Sequence, residues 1–173
     1  WSLTFAASVS CRGCPFKPGN GETPPMTHPK AGLSRSVEDY LKAIYSLCEA
    51  GETASTSAIS ETLQVQPASV TGMIKRLAEA GYLAHVPYRG VKLTEAGARE
   101  ALRILRRHRI LETYLMEHLG YRWEDVHREA VRLEHAASDE LVERMAKALE
   151  NPSHDPHGAP IPTSSGEIEA TDS

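Results

Sequence analysis

The chain contains no run of about 18 apolar residues, so no segment reads as a membrane-spanning helix. It also has few cysteines, three in 173 residues, and an odd count argues against a disulfide scaffold. Cys11 and Cys14 have redox or zinc spacing, but no second pair and no βαβ pattern accompany them, so they read as incidental. The opening residues, Trp1 to Ser10, are mildly apolar and have no basic segment before them, so they do not read as a signal peptide. These absences together predict a cytoplasmic protein. Aromatic residues are sparse at 6%, yet a hydrophobic fraction of 40% is enough for a core.

The net charge of −4 argues against a nucleic-acid binder until the charges are mapped. Between Ser55 and Leu93 the bases Lys75, Arg76, Arg89 and Lys92 face only Glu61 and Glu79. Arg99, Arg103, Arg106, Arg107 and Arg109 follow with a single acid, Glu100. From Glu112 to Glu150 acids dominate. A basic half and an acidic half are expected where one meets phosphate and the other meets cations or a partner subunit.

The most informative stretch runs from Thr53 to Thr94. A capped helical run from Thr56 to Leu63 is followed by a break at Gln64–Pro67, where proline suits a helix start. A second helix, Ala68 to Ala80, ends at Gly81. Two strand candidates, Tyr82–Val86 and Val91–Leu93, flank a turn at Pro87–Gly90. Helix, tight turn, helix and hairpin in this order predict a winged helix-turn-helix. On the second helix Val70, Ile74 and Leu77, with Met73 beside them, share the inward face. Ala68, Thr71, Gly72, Lys75 and Arg76 share the opposite one. Small residues there allow close approach to a groove wall, while hydroxyls and cations reach bases and phosphates. With Thr56, Gln66, Pro67 and Ser69 around the turn, and Arg89 and Lys92 on the hairpin beside Tyr88, these form the expected DNA-facing set.

Elsewhere, residues 1–33 are rich in Gly, Pro, Ser and Thr and predict a disordered leader, with Met26 the expected natural start and residues 1–25 an upstream extension. Ser36 to Cys48 is amphipathic, with Val37, Leu41, Ile44 and Cys48 as its core stripe. Asp39 lies nearly opposite, either an ordinary first-turn acid or a group presented to another element. A long helix runs from Thr94 to Leu119 and stops at Gly120. Trp123–His135 and Ser138–Leu149 predict two more helices, and residues 151–173 a disordered tail or linker.

The long helix places His108 and Glu112 at i, i+4 on one face. On the next helix His127, Val131, Glu134 and His135 occupy a stripe that is normally apolar in a bundle. Facing helices that present Glu and His inward build a divalent-cation site, and this donor set suits Mn²⁺, Fe²⁺, Co²⁺, Ni²⁺ or Zn²⁺. The absence of thiolate argues against a structural zinc site.

These motifs resemble the diphtheria-toxin-repressor and manganese-transport-regulator family of metal-dependent repressors. The resemblance covers Ser34 to about Pro162 and rests on Val37–Tyr45, Val65–Thr71, Leu93–Gly97, Arg107–Glu112 and Leu133–Glu140, five motifs in the family's order. It implies a mainly α protein: a winged helix-turn-helix DNA-binding domain (34–94) followed by a helical metal-binding and dimerisation domain (95–150). It further implies a homodimer on double-stranded operator DNA, with Mn²⁺ or Fe²⁺ as corepressor, and neither an enzymatic activity nor an organic cofactor. His108, Glu112 and His127 match one ligand cluster of the family; Asp39, Glu134 and His135 match the other. Val131 stands where relatives place Cys or Glu, and Lys42 where some manganese-type members place a second acid. The His108/Glu112/His127 cluster is therefore expected to be the better site. Trp123, Val126, Leu141, Val142, Met145 and Leu149 are candidates for the dimer interface. Two rival readings are a winged-helix regulator answering a small organic ligand and a metal-dependent hydrolase; for the latter the sequence offers no separate substrate-binding segment.

Overall fold

The computed structural model describes residues 33–51 and 53–168. The expected leader (apart from Leu33), the Cys11/Cys14 pair and Met26 lie outside the described residues. Six helices and a two-stranded sheet follow in the order α1 (Arg35–Gly51), α2 (Thr56–Leu63), α3 (Pro67–Glu79), β1 (Leu83–Val86), β2 (Gly90–Leu93), α4 (Glu95–Leu119), α5 (Trp123–Leu133) and α6 (Asp139–Ala148). This is the mainly helical winged helix-turn-helix followed by a helical region that the periodicity predicts. No helix among the described residues is long and apolar enough to cross a membrane.

Local chemistry sets the boundaries. Ser55, Thr94 and Ser138 each accept a backbone N–H three residues on, from Ala58, Gly97 and Leu141, and so cap α2, α4 and α6. Gly120 ends α4 in the left-handed conformation at φ 68°, its N–H donating to the Leu115 carbonyl. Between α2 and α3 the chain turns on Gln64 (φ 53°), and the Ser60 hydroxyl closes the corner on the Val65 carbonyl at 2.6 Å. Pro67 then opens α3 at a position where the missing N–H costs nothing.

The first core gathers one face from each element of the winged unit. Leu41, Ile44, Ile59, Val70, Leu77 and Val91 are fully or almost fully buried there, with Ala101 and Ile104 from the start of α4. Cys48 packs against its edge, where burial raises the thiol pKa. Removing each of these aliphatic side chains from water contributes roughly 1.5–3 kcal/mol. β1 and β2 pair antiparallel from Leu83↔Leu93 to Val86↔Gly90, and Ala54 bridges to Val91 through two backbone bonds of 2.8 and 2.9 Å. The wing is thereby anchored to the segment before α2. A side chain at Gly90 would run into the Ala54 carbonyl, so this close approach requires glycine.

α4 is about 37 Å long at 1.5 Å per residue, and its second half supports two smaller cores. Ile110 packs with Val142, Ala146, Leu149 and Ile161; Leu111 and Leu115 pack with Val126 and Ala130. Val126, Val142 and Leu149 therefore serve the protomer's own interior rather than an interface. Trp123 and Leu141 stay exposed, as do Leu119, Tyr121 and Leu133.

Three features differ from the sequence expectation. Residues 151–168 fold back onto α4 where a disordered tail or linker was expected: Ile161 is buried, Asp155 is buried, and Arg109 donates to the Pro160 carbonyl. The holding contacts come from an arginine some fifty positions earlier, beyond the reach of any local pattern. The arginines of α4 do not form a phosphate-facing band. Arg106 is bidentate to Glu143 (3.0 and 3.2 Å), Arg107 reaches Glu38, Asp139 and the Glu134 carbonyl, and Arg109 lies 3.5 Å from Asp155. Their charge is used to tie α4 to α1, α6 and the returning segment. Finally, α5 stops at Leu133, so Glu134 and His135 stand in the turn after it, where Ala136 and Ala137 both donate to the Leu133 carbonyl.

Candidate metal centre and nucleic-acid interface

Two groups of potential ligands assemble around the α4–α5 pair. His108 and Glu112, one helical turn apart on α4, are almost wholly buried, and α5 brings His127 to them. Glu112 Oε1 lies 3.0 Å from His108 Nε2 and 2.9 Å from His127 Nδ1, and the two imidazole rings meet edge to face at 5.0 Å. His127 is the solvent-facing member.

The second group joins distant parts of the chain: Asp39 from α1 with Glu134 and His135 from the turn after α5. His135 Nε2 is 3.0 Å from Asp39 Oδ1 and 3.4 Å from Glu134 Oε1, yet it is buried and makes no hydrogen bond. On the other side of the ring Nδ1 lies 2.6 Å from Glu38 Oε2. A carboxylate oxygen accepts, so Nδ1 donates to Glu38 and the Nε2 edge of the ring is turned toward Asp39 and Glu134. An orphaned, buried imidazole nitrogen between two carboxylates is the geometry that a divalent cation fits. Val131 takes no part in either group.

Glu134 connects the two. It is completely buried; Oε2 accepts from His108 Nδ1 at 2.6 Å and Oε1 from Lys42 Nζ at 2.6 Å. Lys42 thus supplies an ammonium to the same oxygen that faces His135. Burial by itself would raise both glutamates and lower His108. Hydrogen bonds with His108 instead hold Glu112 and Glu134 below the usual carboxylate range, helped by His127 and His157 at Glu112 and by Lys42 at Glu134. The same two carboxylates outweigh burial at His108 and raise its pKa above the ordinary 6.5.

These shifts fix a stability window for the metal-free protein. A raised imidazole pKa stabilises the fold fully below the unfolded value and loses that contribution as pH rises through the folded value; lowered carboxylate pKas stabilise above their unfolded value and lose it as pH falls. In chelator, the urea midpoint is expected to be higher near pH 5.5 than near pH 8, with ~1.4 kcal/mol for each unit by which the folded His108 pKa exceeds the unfolded one. His108→Gln should flatten that difference; an undiminished slope in the variant would assign it to other groups.

Glu38, Arg107, Asp155 and His157 join this centre without having been singled out in the sequence. Glu38 carried a usable signal: three residues before Leu41, it flanks the apolar stripe of α1, where a buried acid needs a partner. Arg107, Asp155 and His157 carried none that periodicity reports.

In the winged unit, Val70, Ile74 and Leu77 of α3 are buried and Met73 is half-buried, while Gln66, Pro67, Ala68, Ser69, Thr71, Gly72, Lys75 and Arg76 are exposed. Thr56 is half-buried at the start of α2, and Arg89 and Lys92 are exposed on the wing. A Cβ on Gly72 would touch nothing within 4 Å. The protein's own packing therefore does not require glycine there, and what remains is an outward face that a groove can approach closely. Tyr88 projects from the wing tip, fully exposed at φ 61°.

Comparison with known proteins covers both halves. Residues 32–91 match the family model for the iron-dependent repressor N-terminal DNA-binding domain, and residues 94–163 match that for the iron-dependent repressor metal-binding and dimerisation domain. The chain is 40% identical over 119 residues to the HTH-type transcriptional regulator MJ0568 of Methanocaldococcus jannaschii, covering 68% of this chain and 95% of that protein. It is 38% identical over 130 residues to the iron-dependent repressor IdeR of Mycobacterium tuberculosis, covering 75% of this chain and 56% of the relative. Among solved structures, a manganese-dependent transcriptional repressor in complex with manganese superimposes with a TM-score of 0.71 at 43% identity, covering 78% of this chain and 62% of that one. The chain thus spans little more than half the length of IdeR.

Proposed function

The chain belongs to the iron-dependent repressor family, and from that premise we propose that it is a metal-activated transcriptional repressor with Mn²⁺ or Fe²⁺ as corepressor. The observation that carries this reading is the meeting of Asp39, on the helix that supports the winged unit, with Glu134 and His135 beyond α5. Asp39, Glu134 and His135 would hold a divalent cation there, which would supply the positive charge that two carboxylates from separate elements call for. Asp39 contributes a carboxylate from α1, Glu134 and His135 the remaining donors, and Glu38 orients the His135 ring. His108, Glu112 and His127 form the companion site, and the His108–Glu134 hydrogen bond links the two. Oxygen-rich donors with one imidazole suit manganese and iron.

Fixing α1 against the α5 turn sets the placement of α3, whose exposed face reads the major groove. Lys75, Arg76, Arg89 and Lys92 contact phosphate and set register; Thr56, Gln66, Pro67, Ala68, Ser69, Thr71 and Gly72 line the approach to base edges. The exposed apolar residues Leu119, Tyr121, Trp123, Leu133 and Leu141 provide the surface for a second copy. Such a protein works where the DNA is, in the cytoplasm, and it breaks no bond in a substrate. Neither an organic effector nor a hydrolytic activity finds support in the family.

The test is a gel shift on a palindromic promoter fragment. Affinity is expected to rise by about five- to 150-fold with Mn²⁺ or Fe²⁺ and to return to the starting value with chelator. Equal binding in both conditions would leave a winged helix without this switch.

A further inference from the structure

Glu112 has a second oxygen that the His108/Glu112/His127 group does not use. Oε2 faces the segment after α6, where His157 Nδ1 lies 3.6 Å away. Ligand atoms of Glu112, Asp155 and His157 all lie within 4.8 Å of one another.

The two newcomers differ in what they are free to do. Asp155 is occupied: Oδ1 accepts the backbone N–H groups of His157 at 2.8 Å and Ala159 at 2.9 Å, and Oδ2 lies 3.5 Å from Arg109 Nε. Its backbone pairs with Ala159 and Gly158, and Ile161 donates back to the Ser153 carbonyl at 2.8 Å. With Ile161 buried against α4 and α6, residues 153–161 form a braced turn at a fixed place. The His157 imidazole makes no hydrogen bond to protein. It rests on the Trp123 ring, with centroids 4.1 Å apart, and directs Nδ1 at the buried carboxylate.

We propose that His157 is a further ligand at this centre, reaching a cation on the His108/Glu112/His127 group from the Oε2 side of Glu112, the carboxylate that the two groups share, so that the centre offers three imidazoles and one carboxylate. This rests on the reading above that the first group binds metal. Asp155 serves by shaping the turn that carries His157. The nitrogen-rich set differs in kind from the oxygen-rich Asp39/Glu134/His135 group. Imidazole suits zinc, cobalt and iron, whereas carboxylate-rich sites suit manganese. His157 widens a difference in donor type that the two imidazoles of the first group already set.

The experiment compares the full chain with His157→Phe, which keeps an aromatic ring on Trp123, and with His157→Ala and His108→Ala. Calorimetric titration with Zn²⁺ and the visible d–d absorption of bound Co²⁺ are the readouts, with the metal-free thermal midpoint as control. His157→Phe and His157→Ala are expected to weaken one of two Zn²⁺ sites by about tenfold or more, since disturbing even an outer-shell partner costs 10–100-fold. The Co²⁺ bands should shift while the metal-free midpoint of His157→Phe stays put. Unchanged Zn²⁺ affinity and Co²⁺ spectra in both His157 variants, with a site lost in His108→Ala, would reduce His157 to packing and overturn this proposal alone. Two intact sites in His108→Ala would overturn the metal reading of the whole first group as well.

Discussion

Glu134→Gln is expected to abolish the metal response of DNA binding and to destabilise the metal-free fold at the same time. Glu134 is the carboxylate on which both ligand groups converge. It has no solvent exposure, and its two oxygens lie 2.6 Å from Lys42 Nζ and 2.6 Å from His108 Nδ1. Glutamine keeps the shape but brings no charge and only one acceptor oxygen. Lys42 is then left without its counter-charge and His108 keeps only Glu112, and removing one partner of a buried pair costs about 3–5 kcal/mol. Because Lys42 is 24% exposed and water can reach part of it, the expected loss sits at the lower end, near ~3 kcal/mol. Urea unfolding in chelator measures that loss. The gel shift reads the other arm: the Mn²⁺-dependent gain in operator affinity should vanish. A variant that kept the full gain would remove Glu134 from the ligand set.

Lys42→Met is expected to act with opposite signs on stability and on metal affinity. In the metal-free protein the Lys42 ammonium neutralises the Glu134 oxygen that faces Asp39 and His135. It fills the electrostatic role of a cation from just outside the ligand group. Removing it strands a buried carboxylate, so the metal-free protein should lose about 1–3 kcal/mol, discounted for the partial exposure of the lysine. The same removal frees Glu134 Oε1 and eliminates a competing positive charge. Mn²⁺ should then bind the Asp39/Glu134/His135 group roughly tenfold more tightly or better, equivalent to ~1.4 kcal/mol. Calorimetric titration of the variant against the parent chain decides it. A weaker Mn²⁺ site would show that Lys42 supports the bound state instead of competing with it. The lysine would then explain how a chain with Val131 at a ligand position retains a functional second site.

Much of this architecture is written locally. Ser55, Thr94 and Ser138 cap their helices through hydrogen bonds three residues long, and Gly120 stops α4 through one five residues long. The inward stripe of α3 and the pairing of His108 with Glu112 follow from the 3.6-residue repeat alone. Signals of this reach depend on near neighbours in the chain, so helix order, the wing and the His108/Glu112 pair are legible in the sequence. The end of α5 is at the limit of that reach. The expected helix ran to His135; the regular helix ends at Leu133, with Glu134 as its C-cap still bonded to the Ala130 carbonyl and His135 in the turn beyond.

Tertiary structure decided the rest, because the deciding contacts join residues that no repeat relates. Lys42 meets Glu134 across 92 positions and Glu38 meets His135 across 97. The arginines of α4 look in sequence like a phosphate-binding band, and only folding shows the charge of Arg103, Arg106, Arg107 and Arg109 neutralised by Glu38, Asp139, Glu143 and Asp155. Residues 151–168 have no core pattern because two adjacent buried residues, Ile161 and Pro162, and bonds from Arg106 and Arg109 to the Pro162 and Pro160 carbonyls hold them. Periodicity records which face a residue occupies on its own helix. What stands opposite that face is fixed by packing, and at this centre the opposite wall determines which groups carry charge and which are free to bind a cation.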